Sequence, residues 1–162
     1  MVTTARAGET ALSTPSDREV AFTRVFDAPR ALVWRTWTEP EHLQKWFLGP
    51  DGWTMHICEL ELRPGSTYRY GWRKDDGKTM EISGEVVEVV PPEKMVTTER
   101  WGPEWPEAIN TLLLTEKDGR TTVTLTSLYP SKEVRDAAIA TGMEKGVYIS
   151  FDRLAGLLVE LR

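Results

Sequence analysis

The amino-acid sequence predicts an α+β domain, in which a first strand and two short helices precede a six-stranded antiparallel run and a long closing helix. Apolar and polar residues alternate in several segments rich in β-formers, which is typical of half-buried strands. Turn signals containing glycine or proline separate these segments, and near the C-terminus the apolar residues recur at helical spacing instead. The 162 residues, 40% of them hydrophobic, suffice for one domain with one core.

The first strand and the two short helices are expected between residues 19 and 52. The segment "EVAFTRVF" alternates in an imperfect strand pattern. In the following "DAPRALVWRTW", Asp27 is expected to cap a helix and Pro29 to lie near its first position. The sequence "TEPE" predicts the second helix, with a capping box from Thr38 to Glu41.

The central part of the chain predicts an antiparallel meander. Short turns join most of its strands, among them Asp76-Gly77 and Asp118-Gly119, because aspartate and glycine tolerate the positive φ of tight hairpins. The six predicted strands are "WTMHICELEL", "STYRYGWRK", "TMEISGEVVEVV", "EKMVTTERW", "EAINTLLLTE" and "RTTVTLTSLY". The inward face of the third stays open, since Ile82, Val86 and Val90 favour one face and Val87 and Val89 the other.

The closing helix is predicted from Ser131, a plausible N-cap, to Leu161. Gly142 and Gly146 predict either a close approach of the helix backbone to the sheet or a ligand, or a helix that begins after Gly142, which is the simpler interpretation. One face is apolar, and its members are spaced by three or four residues: Met143, Val147, Phe151, Leu154 and Leu158.

Composition excludes several classes of function. A net charge of −5 and the lack of a basic stripe disfavour nucleic acid and acidic membrane surfaces as partners. No apolar run approaches the roughly 18 residues of a membrane span. The single cysteine, Cys58, rules out an internal disulfide and fits the cytoplasm. We expect residues 1–17 to form a flexible tail and residues 18–162 a single domain.

Four spaced motifs carry a resemblance to a known family: "FDAPRALVWRTWTEPEHLQKWF", "ICELELRPGSTYRY", "VVPPEKMV" and "GMEKGVYISFDRLAGLL". Together they resemble the bacterial homologues of the activator of heat-shock protein 90 ATPase, in the START-like (SRPBCC) superfamily. The resemblance implies a helix-grip fold, in which a curved antiparallel sheet wraps around a long C-terminal helix and leaves a cavity between them. It covers about residues 18–161, and the family includes stress proteins and ligand carriers.

The aromatic residues are the candidate ligand-binding residues. Tyr68, Tyr70 and Trp72 alternate on one strand, so that they share its inward face. They either line the cavity or fill a solid core, and the sequence leaves both open. Trp101 lies in the rigid loop "RWGPEWPE", which is expected to gate a cavity or to cover a sheet edge. The full expected set is Trp53, Tyr68, Tyr70, Trp72, Trp101, Met143, Val147 and Phe151.

No catalytic, metal or cofactor site is predicted. His42, His56 and Cys58 do not form a zinc-ligand pattern, and the chain contains neither a nucleophile elbow nor a phosphate loop. Three carboxylates on the third meander strand are candidates for a buried acid, although solvent-exposed charge is the more ordinary interpretation: Glu81, Glu85 and Glu88.

Three functions follow as alternatives. The first is non-catalytic binding of a small hydrophobic molecule, aromatic ones included, between the sheet and the closing helix. The second is a polyketide-cyclase-like enzyme that uses the same cavity. The third is a chaperone-associated stress protein with a chaperone contact. Ligand identity and oligomeric state are left open by the sequence.

Overall fold

A computed structural model describes residues 8–162, which form one eight-stranded antiparallel sheet and four helices. The elements are β1 (Ala11–Ser13), β2 (Glu19–Phe26), α1 (Arg30–Thr38), α2 (Pro40–Trp46), β3 (Trp53–Glu59), β4 (Thr67–Lys74), β5 (Thr79–Val90), β6 (Lys94–Glu99), β7 (Ala108–Lys117), β8 (Arg120–Leu128), α3 (Lys132–Ala140) and α4 (Met143–Glu160). The architecture is that of a helix-grip fold, and the predicted fold class is confirmed.

The strand order is β1-β2-β8-β7-β6-β5-β4-β3. From β3 to β8 each strand pairs with the next, which is the predicted meander, and β2 adds to its far end beside β8. The β7–β8 turn has positive φ at both Asp118 (53°) and Gly119 (77°), the conformation that a two-residue hairpin requires.

Part of the predicted tail belongs to the sheet. Residues Ala11–Ser13 form the edge strand β1, in which Leu12 pairs with Phe22 of β2. A strand of three residues is too short to show the alternation from which strands are predicted, so this strand could not be predicted. Residues 1–7 of the predicted tail lie outside the described residues.

A β-bulge in β5 explains why its apolar residues point to both faces. Ile82 and Val86 are 3% and 0% exposed and face the core, whereas Val87 is 50% exposed. The register shifts between Val86 and Glu88, and beyond the shift Val89 packs against the core. A bulge inserts one extra residue and so exchanges the faces of the strand.

The predicted cap of α1 is wrong by two residues. The N-cap of this helix is Pro29, with extended φ and ψ, rather than Asp27. Proline has no N–H to leave unsatisfied and its φ suits a helix start, so Pro29 begins the helix without a side-chain cap.

The predicted capping box of α2 is also absent. Glu39 is the N-cap and makes no side-chain cap bond, while the Thr38 hydroxyl donates back to the carbonyl of Trp34 at 2.8 Å. Threonine at the end of one helix can bond to its preceding turn, which removes it as a cap for the next.

Two helices, rather than one, close the chain. Ser131 caps α3 by accepting a hydrogen bond from the Val134 N–H at 3.1 Å, as predicted. The chain then breaks at Gly142, whose φ of 78° lies in the left-handed region, and α4 begins at Met143. The interpretation that the long helix begins after Gly142 is confirmed.

The core lies between the concave face of the sheet and the C-terminal half of α4. Phe151 is 2% exposed and meets Phe26, Trp37 and Trp46 at centroid distances of 5.9 to 6.2 Å. The loop between α2 and β3 holds the same helix, since Gly49 N donates to Ser150 Oγ at 2.9 Å. None of the described helices is both long and apolar enough to cross a membrane.

Candidate functional site

The aromatic row of β4 consists of Tyr68, Tyr70 and Trp72, and it faces inward as the alternation predicted. All three side chains are buried, and successive ring centroids lie 5.1 and 6.3 Å apart. Each phenol is held protonated, because burial raises the pKa of both Tyr68 and Tyr70 far above its ordinary value. The row is therefore an apolar surface at neutral pH.

Trp72 lies between two further aromatic rings. Its indole N–H donates to the Phe47 carbonyl at 2.7 Å, and the Phe47 ring meets the indole edge-on at 5.4 Å. On Trp72, Trp101 stacks almost in parallel, with 5.5 Å between centroids and 16° between planes. The anchoring bond fixes the orientation of Trp72, and Trp101 covers one face of its ring.

Trp101 begins the loop of residues 100–107 that the sequence singled out. A bridge between Arg100 and Ser83 anchors the start of this loop to β5, and the Arg100 guanidinium donates to the Trp105 carbonyl at 2.9 Å. Trp101 and Trp105 are half-buried and pack against the core. The loop thus covers one end of the aromatic row.

The remaining members of the expected set lie around this row at different depths. Trp53 is half-buried at the start of β3, with the Lys74 ammonium 5.9 Å from its ring centroid. Met143 and Val147 are half-buried on α4, where both pack against the core. Phe151 contacts Trp46, whose ring lies 5.4 Å from that of Phe47, and Phe47 in turn contacts the row.

Exposure changes along the inward face of α4. Phe151, Leu154 and Leu158 in its C-terminal half are at most 2% exposed, whereas Met143 and Val147 in its N-terminal half keep accessible surface. A helix packed evenly on a sheet would bury all five positions to a similar extent. The N-terminal half of α4 is therefore less completely buried than its C-terminal half, although Met143 and Val147 still pack against the core.

The sheet shows the same contrast beneath that end. Leu112 and Leu114 of β7 are buried, but Asn110 on the same face keeps accessible surface, as does its neighbour Thr97 on β6. The Tyr129 hydroxyl, 4.0 Å from Met143 Sδ, links this corner of the sheet to the start of α4. We call this incompletely buried region, at β4, β6, β7 and the N-terminal half of α4, the hollow; it is the candidate site.

Glu99 is the ionisable group of the hollow. It pairs with Ala108 and follows Met95 and Thr97 on the inward face of β6, and burial raises its pKa from 4.5 to about 7. The side-chain N–H groups of Asn110 and Trp101 interact favourably with the carboxylate and oppose this rise. A carboxyl group with this pKa can hold or release a proton near neutral pH.

Asn110 is oriented by its neighbour on β8. The Ser127 hydroxyl donates to Asn110 Oδ1 at 2.7 Å, so the amide NH₂ is the group left to face Glu99. Burial, with a smaller contribution from the charge of Glu99, raises the pKa of Tyr129 to about 12. The hollow thus brings the aromatic row of β4 close to a polar cluster, which is formed by Glu99, Asn110 and Ser127.

None of the three glutamates considered for a buried acid is buried, which agrees with the more ordinary interpretation of solvent-exposed charge. Glu81 and Glu85 lie on the outer face of β5, where Glu81 pairs with Arg69, and Glu88 pairs with Lys94 at 3.2 Å. Glu99 was missed, although "MVTTE" shows which face of the strand it lies on. It follows the apolar Met95 by four residues, so both point to the same face.

The two histidines and the cysteine, which the sequence does not arrange as zinc ligands, have different surroundings. His56 is exposed, and burial raises the pKa of the Cys58 thiol to about 11, so the thiol keeps its proton. Glu39, Glu41 and His42 bring their ligand atoms within 4.8 Å of one another. In this group the Glu39 carboxylate accepts a hydrogen bond from Arg35 at 2.9 Å, which a cation would have to displace.

Two depressions lie away from the hollow. One, of about 540 Å³, is on the outer face beside the β7–β8 turn and includes Lys117 and Thr122. The other, of about 260 Å³, lies beside the C-terminal half of α4 and includes Arg24 and Leu158. Neither is lined by the aromatic row.

Comparison with known proteins identifies the family of this fold. The sequence model of the family described as activator of Hsp90 ATPase homolog 1-like protein matches residues 27–159. The chain belongs to this family. The family has a ligand-binding fold, and the resemblance found in the sequence is confirmed. A search of curated proteins finds no match.

Solved structures from other bacteria share the family's fold. A Rhodobacter sphaeroides protein is 27% identical, with a TM-score of 0.89, over 94% of this chain and 99% of that one. A Nitrosomonas europaea protein is 26% identical, with a TM-score of 0.80, over 90% and 96% of the two chains. A Mycobacterium smegmatis protein at 23% identity has a TM-score of 0.83, covers 93% and 97%, and supports the fold alone.

Proposed function

We propose that this protein binds a small hydrophobic molecule, with a flat aromatic ring, in the hollow and does not change it chemically. The observation that carries the proposal is the residual exposure of inward-facing residues at one end of α4 only. Asn110, Thr97 and Val147 keep accessible surface where the fold would otherwise be solid. Membership of a family with a ligand-binding fold supports it.

Trp101 acts in this proposal as the gate that the sequence suggested. Its ring covers the face of Trp72 in the free protein. An aromatic stack contributes only about 0.5 to 1.5 kcal/mol beyond its buried area, so a ligand ring of similar size can replace it. Because Phe47 and its hydrogen bond hold Trp72 in place, the ligand finds a fixed surface once the gate moves.

The test is binding of 2-naphthylmethanol, a flat neutral probe, followed by calorimetry and thermal melting. At about 100 times its dissociation constant, a ligand adds about 2.7 kcal/mol of stability. Trp72→Leu should weaken binding about two- to tenfold, because a stacking face is lost. Trp37→Leu is the matched control: Trp37 is equally buried but contacts Phe151, so it should lose stability while affinity stays unchanged.

Two results would contradict the binding role. One is a protein whose melting temperature is unmoved by flat apolar probes. The other is an affinity loss of the same size in both tryptophan variants, since that would report general destabilisation and not contact with the ligand.

A second candidate, a polyketide-cyclase-like enzyme, is favoured by Glu99. Ring closure needs a base to remove a proton from a carbon next to a carbonyl, and an acid to protonate the alkoxide that forms with the new carbon–carbon bond. A carboxyl group with a pKa of about 7 can do both in turn. Conversion of a linear poly-β-ketone, lost in Glu99→Gln and kept in Glu88→Gln, would favour this enzyme over a carrier.

Location and further partners belong to the same proposal. A cytoplasmic location is supported by the single cysteine, and an absence of nucleic-acid partners by the net charge of −5. A chaperone contact and a role in stress response rest on the family's name alone. Co-sedimentation with a heat-shock protein 90 chaperone, with and without nucleotide, would test the contact.

A further inference from the structure

Building on the binding site proposed above, we propose that the hollow selects aromatic amines, whose ring stacks on Trp72 and whose ammonium group pairs with Glu99. Both interactions would be made by one ligand of modest size. The structure itself contains the pattern for such a ligand, in the side chain of Trp101.

Trp101 occupies both positions at once in the free protein. Its bicyclic ring stacks on Trp72, and its side-chain N–H favours the ionised form of Glu99, which lies two residues before it. The Tyr68 hydroxyl donates to the Thr98 carbonyl, next to Glu99, at 2.5 Å, so the aromatic row and this carboxyl group lie together. When the gate opens, Trp72 loses a stacking partner and Glu99 loses a donor. A ligand that restores both must carry a flat ring and an N–H donor beside it.

The charge balance of the hollow favours a cationic donor over a neutral one. Within residues 8–162, no lysine, arginine or histidine forms an ion pair with Glu99. The basic residues nearest to it in sequence point outward, since Lys94 pairs with Glu88 and Arg100 donates to the Trp105 carbonyl. A buried carboxylate without a counter-ion is costly, and a ligand ammonium removes that cost.

The surroundings of Glu99 suit an ammonium group in two further ways. Asn110, oriented by Ser127, lies on β7 beside Glu99 of β6, and a carboxylate has about four acceptor sites, so one amide neighbour leaves others open to the ligand. Tyr68 and Tyr129 lie close enough for the charge of Glu99 to raise their pKa values. Aromatic ring faces near a carboxylate attract a cation further.

The experiment compares three probes that share one ring system: 2-naphthylmethylamine, 2-naphthylmethanol and 2-naphthoate. Calorimetric titration at pH 8 keeps Glu99 ionised and the amine largely protonated. We expect the amine to bind about ten- to hundredfold more tightly than the alcohol, as for a charge-assisted hydrogen bond, and the carboxylate probe to bind most weakly. This comparison needs no variant and so does not depend on the folding of one.

Two variants then locate the preference. Glu99→Gln should reduce the affinity for the amine to that for the alcohol and leave the alcohol's own affinity within about threefold, because only the charge is removed. Glu88→Gln, which removes an exposed carboxylate from the neighbouring strand β5, should keep the full preference.

The outcomes separate this inference from the proposed function. If the alcohol binds and the amine binds no more tightly, or if Glu99→Gln keeps the preference, the selection of amines is wrong while aromatic binding stands. If none of the three probes binds to the unmodified protein or to Trp101→Ala, in which the gate is removed, both proposals fail.

Discussion

Glu99 is an acidic residue on the inward face of a strand, a position that apolar residues usually occupy. A glutamate on the inward face of β6 opposes folding, since its burial favours the neutral form. Its neighbours reduce that cost only in part, through the N–H groups of Asn110 and Trp101. A residue that is costly for the fold and central in the hollow is a candidate for function.

The raised pKa of Glu99 predicts how stability depends on pH. The pKa is about 7 in the folded state against an ordinary 4.5, so between these values the folded protein binds more protons than the unfolded chain. The contribution of Glu99 to stability is therefore fully present at low pH and is lost as pH rises through 7. Tyr68 and Tyr129, which lie near Glu99, titrate far above the range from pH 4.5 to 7. Glu107 is a further acidic residue near Tyr68.

Glu99→Gln should remove this dependence. At pH 8 we expect the variant to be more stable than the unmodified protein by roughly 1 to 2 kcal/mol, allowing for the remaining contact of Glu99 with solvent. At pH 5 the difference should shrink towards zero. Urea denaturation at the two pH values measures the difference in stability between the variant and the unmodified protein. A difference that favours the variant less at pH 8 than at pH 5 would contradict a raised pKa for Glu99.

At the scale of elements, the two helices that close the chain depend on glycines in different ways. Gly142 has a φ of 78° and connects α3 to α4, a conformation that other residues adopt at a cost of about 1 to 2 kcal/mol. Gly156 lies inside α4 with helical backbone, and a Cβ added there would have no atom within 4 Å. The same substitution should therefore have opposite effects at the two sites.

Gly142→Ala should destabilise the protein by about 1 to 2 kcal/mol, whereas Gly156→Ala should stabilise it by about 0.5 to 1 kcal/mol through helix propensity. Chemical denaturation of the two single variants gives both values. Equal effects of either sign would mean that the break between α3 and α4 is not required by the backbone at Gly142.

The elements that the sequence predicted well are those with a long local pattern. The strands of the meander and the apolar face of α4 each repeat a period over several residues. The sequence could not place β1, which has three residues, or the bulge at Val87, because both are fixed by pairing with distant strands. The caps of α1 and α2 were misplaced because Pro29 begins α1 without a side-chain cap and the Thr38 hydroxyl bonds back to the Trp34 carbonyl.

The site was predicted in the same uneven way. Tyr68, Tyr70 and Trp72 could be assigned to one inward face from alternation, and Trp101 to a loop. That Trp101 stacks on Trp72 depends on the approach of two segments nearly thirty residues apart, which no local pattern encodes. Phe151 was correctly placed on the apolar face of α4, but its neighbours Trp37 and Trp46 come from α1 and α2.

At the scale of the whole molecule, the two halves of α4 differ in how completely the fold buries them. The C-terminal half of α4 is clamped by Phe26, Trp37 and Trp46, and the loop at Gly49 bonds to Ser150. The N-terminal half lies over the hollow. Stability and binding are therefore expected to reside in different halves of the same element, so that a gate can move without loosening the core.

Two substitutions one helical turn apart test this division. Phe151→Ala should cost roughly 3 to 5 kcal/mol, because it leaves a cavity among aromatic rings. Val147→Ala should cost about 1 kcal/mol or less, since its half-buried side chain has fewer neighbours to lose, yet it should change the affinity for 2-naphthylmethanol several-fold. Phe151→Ala, where it stays folded, should leave that affinity nearly unchanged. Urea denaturation and calorimetric titration of both variants provide the two readouts. If Val147→Ala cost as much stability as Phe151→Ala, the core would extend under the whole of α4 and there would be no hollow for a ligand.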